Sequence, residues 1–277
     1  MDNQKKRKNN KKIGLALGGG GAKGLAHIGV LKVLEKENIK IDFLAGTSIG
    51  SLVAAYYAAH QEIEGLEKKI LKKSDWKTGL FIFDPSLKKG ILKGEKIKKI
   101  ISELIGVDDF QELQLPLTLT STDLKKGTLV ELSEGDLIQA IRASISVPLV
   151  FRPIKYKDML LTDGGLADPV PDDIVSKMGA GKVIAVNLDT RYFNNGKMEE
   201  KEVKFKDISL RALNILRYHL AQQCLKDADV IIEPSIDEQG LIGWNNFFNI
   251  EKAKRIIKQG EEKTKEKLPE IKKMLRE

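Results

Sequence analysis

The chain has 277 residues, 42% of them hydrophobic and 31% charged, which is enough to bury the core of one large α/β domain. No apolar run approaches the roughly 18 residues that span a bilayer, and the stretch at residues 13–17 is too short for a secretory signal. The single cysteine, Cys224, excludes an intramolecular disulfide, and with three scattered histidines it makes no zinc site of ordinary spacing, so a cytoplasmic protein with neither metal nor cofactor is expected.

The formal charge of +8 is unevenly spread. Lys5, Lys6, Arg7, Lys8, Lys11 and Lys12 stand against Asp2 in residues 1–12, a local net of +5 that leaves +3 for the rest. The body is thus nearly balanced, and nucleic acid is not an expected partner. A Lys/Asn-rich segment with no apolar residue beyond Met1 has nothing to pack and reads as a disordered tail. Solubility is its plain role, and peripheral attraction to anionic membranes is the functional one.

In chain order, residues 12–17 read as a buried strand, and the spacing of Leu25, Ile28, Leu31 and Leu34 gives one face of a helix after a glycine turn. A second strand at residues 41–45 leads through Gly46-Thr47-Ser48-Ile49-Gly50 into an apolar helix at 51–59. Further strands are expected near 117–122, 128–132, 159–162, 183–187 and 230–233, with helices near 135–144, 170–178 and 206–224. This alternation predicts a mainly parallel sheet covered by helices on both faces. The division that follows is a tail at 1–12, one domain at 13–250, and a Lys/Glu-rich amphipathic helical segment at 251–277, interrupted by Pro269, that packs on the domain.

The chemistry gathers at the turns. In Gly46-x-Ser48-x-Gly50 a strand turns sharply into a helix, and only glycines two residues either side let the two elements approach. The serine hydroxyl then stands exposed at a helix N-terminus, as a nucleophile requires, although a plain helix cap would use the same residues. The run Gly18-Gly19-Gly20-Gly21-Ala22-Lys23-Gly24 offers unhindered N–H groups at another helix N-terminus, suited to a developing oxyanion. It also matches the dinucleotide fingerprint formally. Yet Lys23 is followed by Gly24 rather than Ser or Thr, and the second strand ends in Ala45-Gly46-Thr47-Ser48 rather than an acid, so neither nucleotide-binding loop fits in detail.

A nucleophilic serine needs a base. His27, His60 and His219 all fall in helical stretches, whereas Asp163 follows the strand Met159-Leu160-Leu161-Thr162 and precedes Gly164-Gly165, on a loop where catalytic groups of open α/β sheets collect. Asp-Gly is also an ordinary turn signal.

Four blocks in order resemble the patatin-like phospholipases, the small bacterial members above all. They are Gly19-Gly20-Gly21-Ala22-Lys23-Gly24, the Gly46–Gly50 elbow, Ala143-Ser144-Ile145-Ser146-Val147-Pro148-Leu149-Val150-Phe151, and Asp163-Gly164-Gly165. The resemblance implies a three-layer α/β/α sandwich, a Ser48–Asp163 catalytic dyad, an oxyanion hole in Gly19, Gly20, Gly21, Ala22, Lys23 and Gly24, and a lipid or acyl-ester substrate. One departure is Asp168 before Pro169, where those members usually carry Asn; it brings a second carboxylate into the region of the base. Two aromatic segments beside lysines, residues 76–91 and Trp244 with Phe247 and Phe248, are read as packing or as acyl-chain contacts. A dinucleotide-binding oxidoreductase and a non-catalytic lipid-binding protein are the readings from other classes.

Overall fold

Strand β1 (Ile13–Leu17) has no polar residue and is buried along its whole length, as a strand covered on both faces must be. Its alternation is one of size. Leu15 and Leu17 join the larger core with Leu44, Ile184 and Val186, while Ala16 packs with Ala45 and Ala185 on the opposite face. The computed structural model describes residues 11–72, 94–189, 205–236 and 250–277, without the side chains of 94–97, 205–207 and 210. The basic tail to residue 10, the whole aromatic segment at 76–91, and Trp244, Phe247 and Phe248 lie outside the described residues.

After β1 come a 3-10 turn (Gly21–Gly24), α1 (Leu25–Lys36), β2 (Phe43–Thr47), α2 (Ile49–His60), α3 (Glu64–Leu71) and α4 (Gly94–Ile105). Next are β3 (Leu117–Asp123), β4 (Thr128–Leu132), α5 (Leu137–Ser144), β5 (Ile154–Tyr156) and β6 (Met159–Asp163). The described chain continues with α6 (Asp172–Lys177), β7 (Lys182–Val186), α7 (Phe205–Cys224), β8 (Val230–Ile232) and α8 (Ile250–Arg276). Strand neighbours run β5-β6-β3-β2-β1-β7-β8, with β4 also paired to β3. The β3-β2-β1-β7-β8 stretch is parallel, and β4, β5 and β6 join antiparallel, so the sheet is mixed, with a parallel centre.

Sequence periodicity missed β5, α3 and α4, and it set β2 two residues early. The reason is Asp42, whose carboxylate accepts the Ile13 amide at 2.8 Å while its own amide donates to Ile13. It closes the start of the strand, and pairing continues instead through Gly46 and Thr47, which read as turn residues.

One feature of register places the site. Residues 119–120 of β3 pair with both β2 and β4, and residues 121–123 pair with both β4 and β6. A strand has two edges, so β2 and β6 share the edge opposite β4. They approach from opposite directions, β2 ending where Thr47 pairs with Thr120 and β6 ending where Asp163 pairs with Ser121. Two C-termini meet head-on at the middle of β3.

Candidate active site

Ser48 is the residue after Thr47 and has φ 54°, ψ −124°, a left-handed conformation that L side chains rarely adopt. The surrounding glycines hold it there: a Cβ on Gly46 would lie 2.6 Å from the Ser51 Cα, and one on Gly50 would collide with the Leu17 carbonyl oxygen. Ser48 donates its hydroxyl to Asp163 Oδ2 at 2.6 Å, and Asp163 Oδ1 accepts the Gly165 amide at 2.8 Å. Both residues are almost fully buried, at 4% and 3% exposure. Desolvation raises the Asp163 carboxyl above its ordinary value, opposed by the Arg217 charge and by the hydrogen bonds from Ser48 and Gly165.

The block containing Pro148 acts as a brace between the two ends. Ser144 Oγ accepts the Ser48 amide at 2.9 Å, and the Ser146 carbonyl accepts the Asp163 amide at 3.1 Å and the Thr162 hydroxyl at 2.6 Å. Pro148 itself lies half-buried in the turn that follows, whose next residue, Leu149, is exposed and has φ 68°. Gly164 packs over Thr120, where a Cβ would strike the hydroxyl. That hydroxyl in turn bonds Thr47 Oγ1 at 2.7 Å.

The glycine run lies beside this pair, with Gly19 placed so that a Cβ would come 3.4 Å from the Ser48 Cβ. Its amides differ in availability. Gly18 donates to the Val186 carbonyl at 3.0 Å, Gly19 to Pro169 at 2.9 Å, and Lys23 to Gly20 at 3.3 Å. The 3-10 turn starts at Gly21, where φ is 58°, and the first amides of such a turn have no partner inside it. Of the six residues of the block, then, Gly20, Gly21 and Ala22 carry the amides suited to an incoming oxyanion; Gly24 packs against Ile49. Lys23 is half-buried, donates to the Leu188 carbonyl, and has its ammonium pushed down to about 7 by desolvation, against the pull of Asp189.

The histidines occupy other positions. His27 Nε2 bonds the Gly18 carbonyl at 2.8 Å from beneath the glycine run, and burial lowers its pKa to about 4, leaving it neutral. His60 Nε2 bonds the Ile105 carbonyl, and His219 is exposed on α7. Among the described residues none of the three is bonded to Ser48 or Asp163. Asp168 is also turned elsewhere. Its carboxyl accepts the Val170 amide and the Cys224 thiol, and desolvation with repulsion from Asp173 and Asp172 lifts it to about 7. Among the described residues no three His, Cys, Asp or Glu side chains cluster as a metal site would, and no helix is long and apolar enough to cross a membrane.

Sequence reading passed over Arg217, on α7. Its Nη2 bonds Asp189 Oδ2 at 2.8 Å, and its guanidinium lies against Gly19 and Gly165. No local signal marks it, since Arg217 and Asp163 are brought together only by the packing of α7 on the sheet.

The sequence profile of the family described as patatin-like phospholipase matches residues 15–175. An uncharacterised NTE family protein of Mycobacterium tuberculosis is 38% identical over 181 residues, covering 64% of this chain and 49% of that protein. Lysophospholipase NTE1 of Meyerozyma guilliermondii is 34% identical over 184 residues, 65% of this chain and 13% of that one. The chain therefore spans about half the length, or less, of these curated relatives. Among solved structures, VipD of Legionella pneumophila shares the fold with a TM-score of 0.52 at 14% identity, covering 92% of this chain and 66% of that one. A profile match over more than half of the chain, across the elbow, the glycine run and the Asp-Gly-Gly turn, shows that this protein belongs to the patatin-like phospholipase family.

Proposed function

We propose that this chain is a serine acyl hydrolase cleaving carboxylic esters of lipid-like substrates, with Ser48 as nucleophile, Asp163 as base, and the amides at Gly20, Gly21 and Ala22 as oxyanion donors. The observation that carries the reading is the 2.6 Å hydrogen bond from Ser48 Oγ to Asp163 Oδ2 at a residue held with φ 54°. In the cycle, Ser48 Oγ bonds the acyl carbon as its proton passes to Asp163, and the negative charge collects on the former carbonyl oxygen. Collapse breaks the ester C–O bond, and Asp163 returns the proton to the leaving alcohol. Water then repeats the sequence on the acyl-enzyme, with Asp163 again taking the proton.

An ordinary aspartate is about 2.6 pKa units less basic than histidine, roughly 3.5 kcal/mol less driving force for the proton. Burial of Asp163 raises its pKa and recovers part of that difference. Each oxyanion donor contributes about 3 kcal/mol in comparable sites. The acyl hydrolase domain is taken as residues 13–250, with cytoplasmic residence and peripheral contact with anionic membranes. The named lysophospholipase relative supports a lipid ester as substrate.

The test is kcat/KM on a p-nitrophenyl ester together with labelling by a fluorophosphonate. Ser48→Ala is expected to abolish both, and Asp163→Asn to lower turnover by about three orders of magnitude or more, because an amide cannot accept the serine proton. His60→Asn and His219→Gln are expected to retain most activity. A folded variant of either histidine that lost as much rate as Asp163→Asn would replace the dyad with a triad.

A further inference from the structure

We propose that Arg217, held by Asp189, is a positioning residue of the active site: its guanidinium spans the glycine run and the Asp163–Gly165 turn and keeps the Asp163 carboxyl ionised as a base. This rests on the reading of Ser48 and Asp163 as the dyad.

The placement comes from two glycines. A Cβ at Gly19 would lie 2.8 Å from Arg217 Nη2 and 3.4 Å from the Ser48 Cβ. A Cβ at Gly165 would lie 3.0 Å from Asp163 Oδ1, 3.1 Å from Arg217 Nε and 3.4 Å from Arg217 Cζ. The guanidinium therefore fills the space over both glycines, and it flanks one point with the carboxylate, within the separation of about 6 Å at which an opposite charge favours ionisation. Any larger residue at 19 or 165 would push into it.

The charge is fixed in place. Asp189 is 2% exposed, Arg217 has a side chain 15% exposed, and the two meet at 2.8 Å. Asp189 takes up only part of the fork, for Nε has no partner among the described residues although it is buried beside Gly165. A guanidinium also remains charged at any working pH, unlike Lys23 nearby, which burial brings to about 7.

This placement answers a difficulty of the dyad. A carboxyl as buried as Asp163 is driven toward its neutral form, which can accept no proton, and the charges acting on it are Arg217, which opposes that drive, and Asp189, which adds to it. The remaining neighbours, the Ser48 hydroxyl and the Gly165 amide, are uncharged donors. Arg217 is thus the one cation shown to act on the base among the described residues. The attraction is mutual, since Asp189 and Asp163 both raise the Arg217 pKa against its own desolvation.

The experiment measures kcat/KM against pH with an uncharged p-nitrophenyl ester for the parent, Arg217→Lys, Arg217→Gln and the double variant Arg217→Gln/Asp189→Asn. The double variant removes both charges, so that no lone buried carboxylate is left to unfold the chain. In parallel, the carboxyl carbon of Asp163 is titrated by 13C NMR, which needs no turnover. Arg217→Gln is expected to move the acid limb and the NMR midpoint up together by about 1–3 pH units, with activity recovering at higher pH; the double variant, which also loses the opposing push of Asp189, is expected to move both up by less, and Arg217→Lys to keep both near the parent values. An unmoved NMR midpoint in a folded variant overturns the proposal whether or not the enzyme turns over. Loss confined to phosphate-bearing esters, with an unmoved acid limb, also overturns it and makes Arg217 a headgroup contact. A parent that neither labels nor turns over would instead count against the hydrolase reading, with the NMR titration still deciding the role of Arg217.

Discussion

At the scale of single residues, two carboxyls five positions apart show how environment assigns roles. Asp163 faces a hydroxyl, an amide and a cation, whereas Asp168 faces a thiol and two further carboxylates. Asp168 is consequently a cost to the fold rather than a second base. Over the window from its ordinary value of 3.8 to about 7, the folded chain holds a proton that the unfolded chain has released, so stability falls as pH rises through that window. The cost is complete above about 7. Asp168→Asn removes it, and the variant is expected to gain on the order of 1–3 kcal/mol over the parent near pH 8 and much less near pH 4.5. Thermal melts at the two pH values measure the difference. Ester hydrolysis is expected to be nearly unchanged, and a gain independent of pH would mean that the Asp168 carboxyl is not the source.

At the scale of elements, the contact between α1 and α8 has a specific cause. Gly29 and Gly260 sit where the helices cross, a Cβ on the first striking the Ile257 carbonyl and one on the second the Ala26 carbonyl. Backbone meets backbone there, and Ala253, Ile256 and Ile257 are buried around the crossing. Lys32 of α1 bridges Glu261 and Glu67, each at 2.9 Å, fastening α8 and α3 to the same helix. Gly260→Ala forces the crossing apart and is expected to cost about 1–3 kcal/mol, visible as a melting temperature lower by several degrees. Gly260 has no positive φ for an alanine to strain, so a loss of stability there reads the helix contact itself, and an unchanged melting temperature would mean that the crossing tolerates the extra methyl.

At the scale of the whole molecule, charge is separated from chemistry. Residues 1–12 carry a net of +5 of the total +8, while the site is built from buried groups within the sheet. Deleting residues 2–12 is therefore expected to leave hydrolysis of a short soluble ester unchanged. Binding to anionic vesicles at low salt should weaken by about 1 kcal/mol for each basic residue that lies near the surface. Co-sedimentation with and without the segment is the measurement, and identical binding would remove the tail from any membrane role.

Local rules were enough for part of this protein. The burial of β1, the apolar face of α1, the elbow at Ser48 and the Asp-Gly-Gly turn all depend on residues close in sequence, and each was legible there because turn sterics and periodicity act over a few positions. The short strand β5 was not legible, being three residues with no alternation to read. Other features needed the tertiary structure. Ser48 and Asp163 are 115 positions apart and meet only because β2 and β6 end head-on along one edge of β3, which is a matter of strand order. Arg217 enters from α7, on a face that helical periodicity alone could not assign to the site. The glycine run offered many amides in sequence, and the pairing of Gly18 with Val186 and Gly19 with Pro169 decided which were engaged. Sequence thus determined the candidate groups and their local strain, while long-range hydrogen bonding and packing decided which of them face one another.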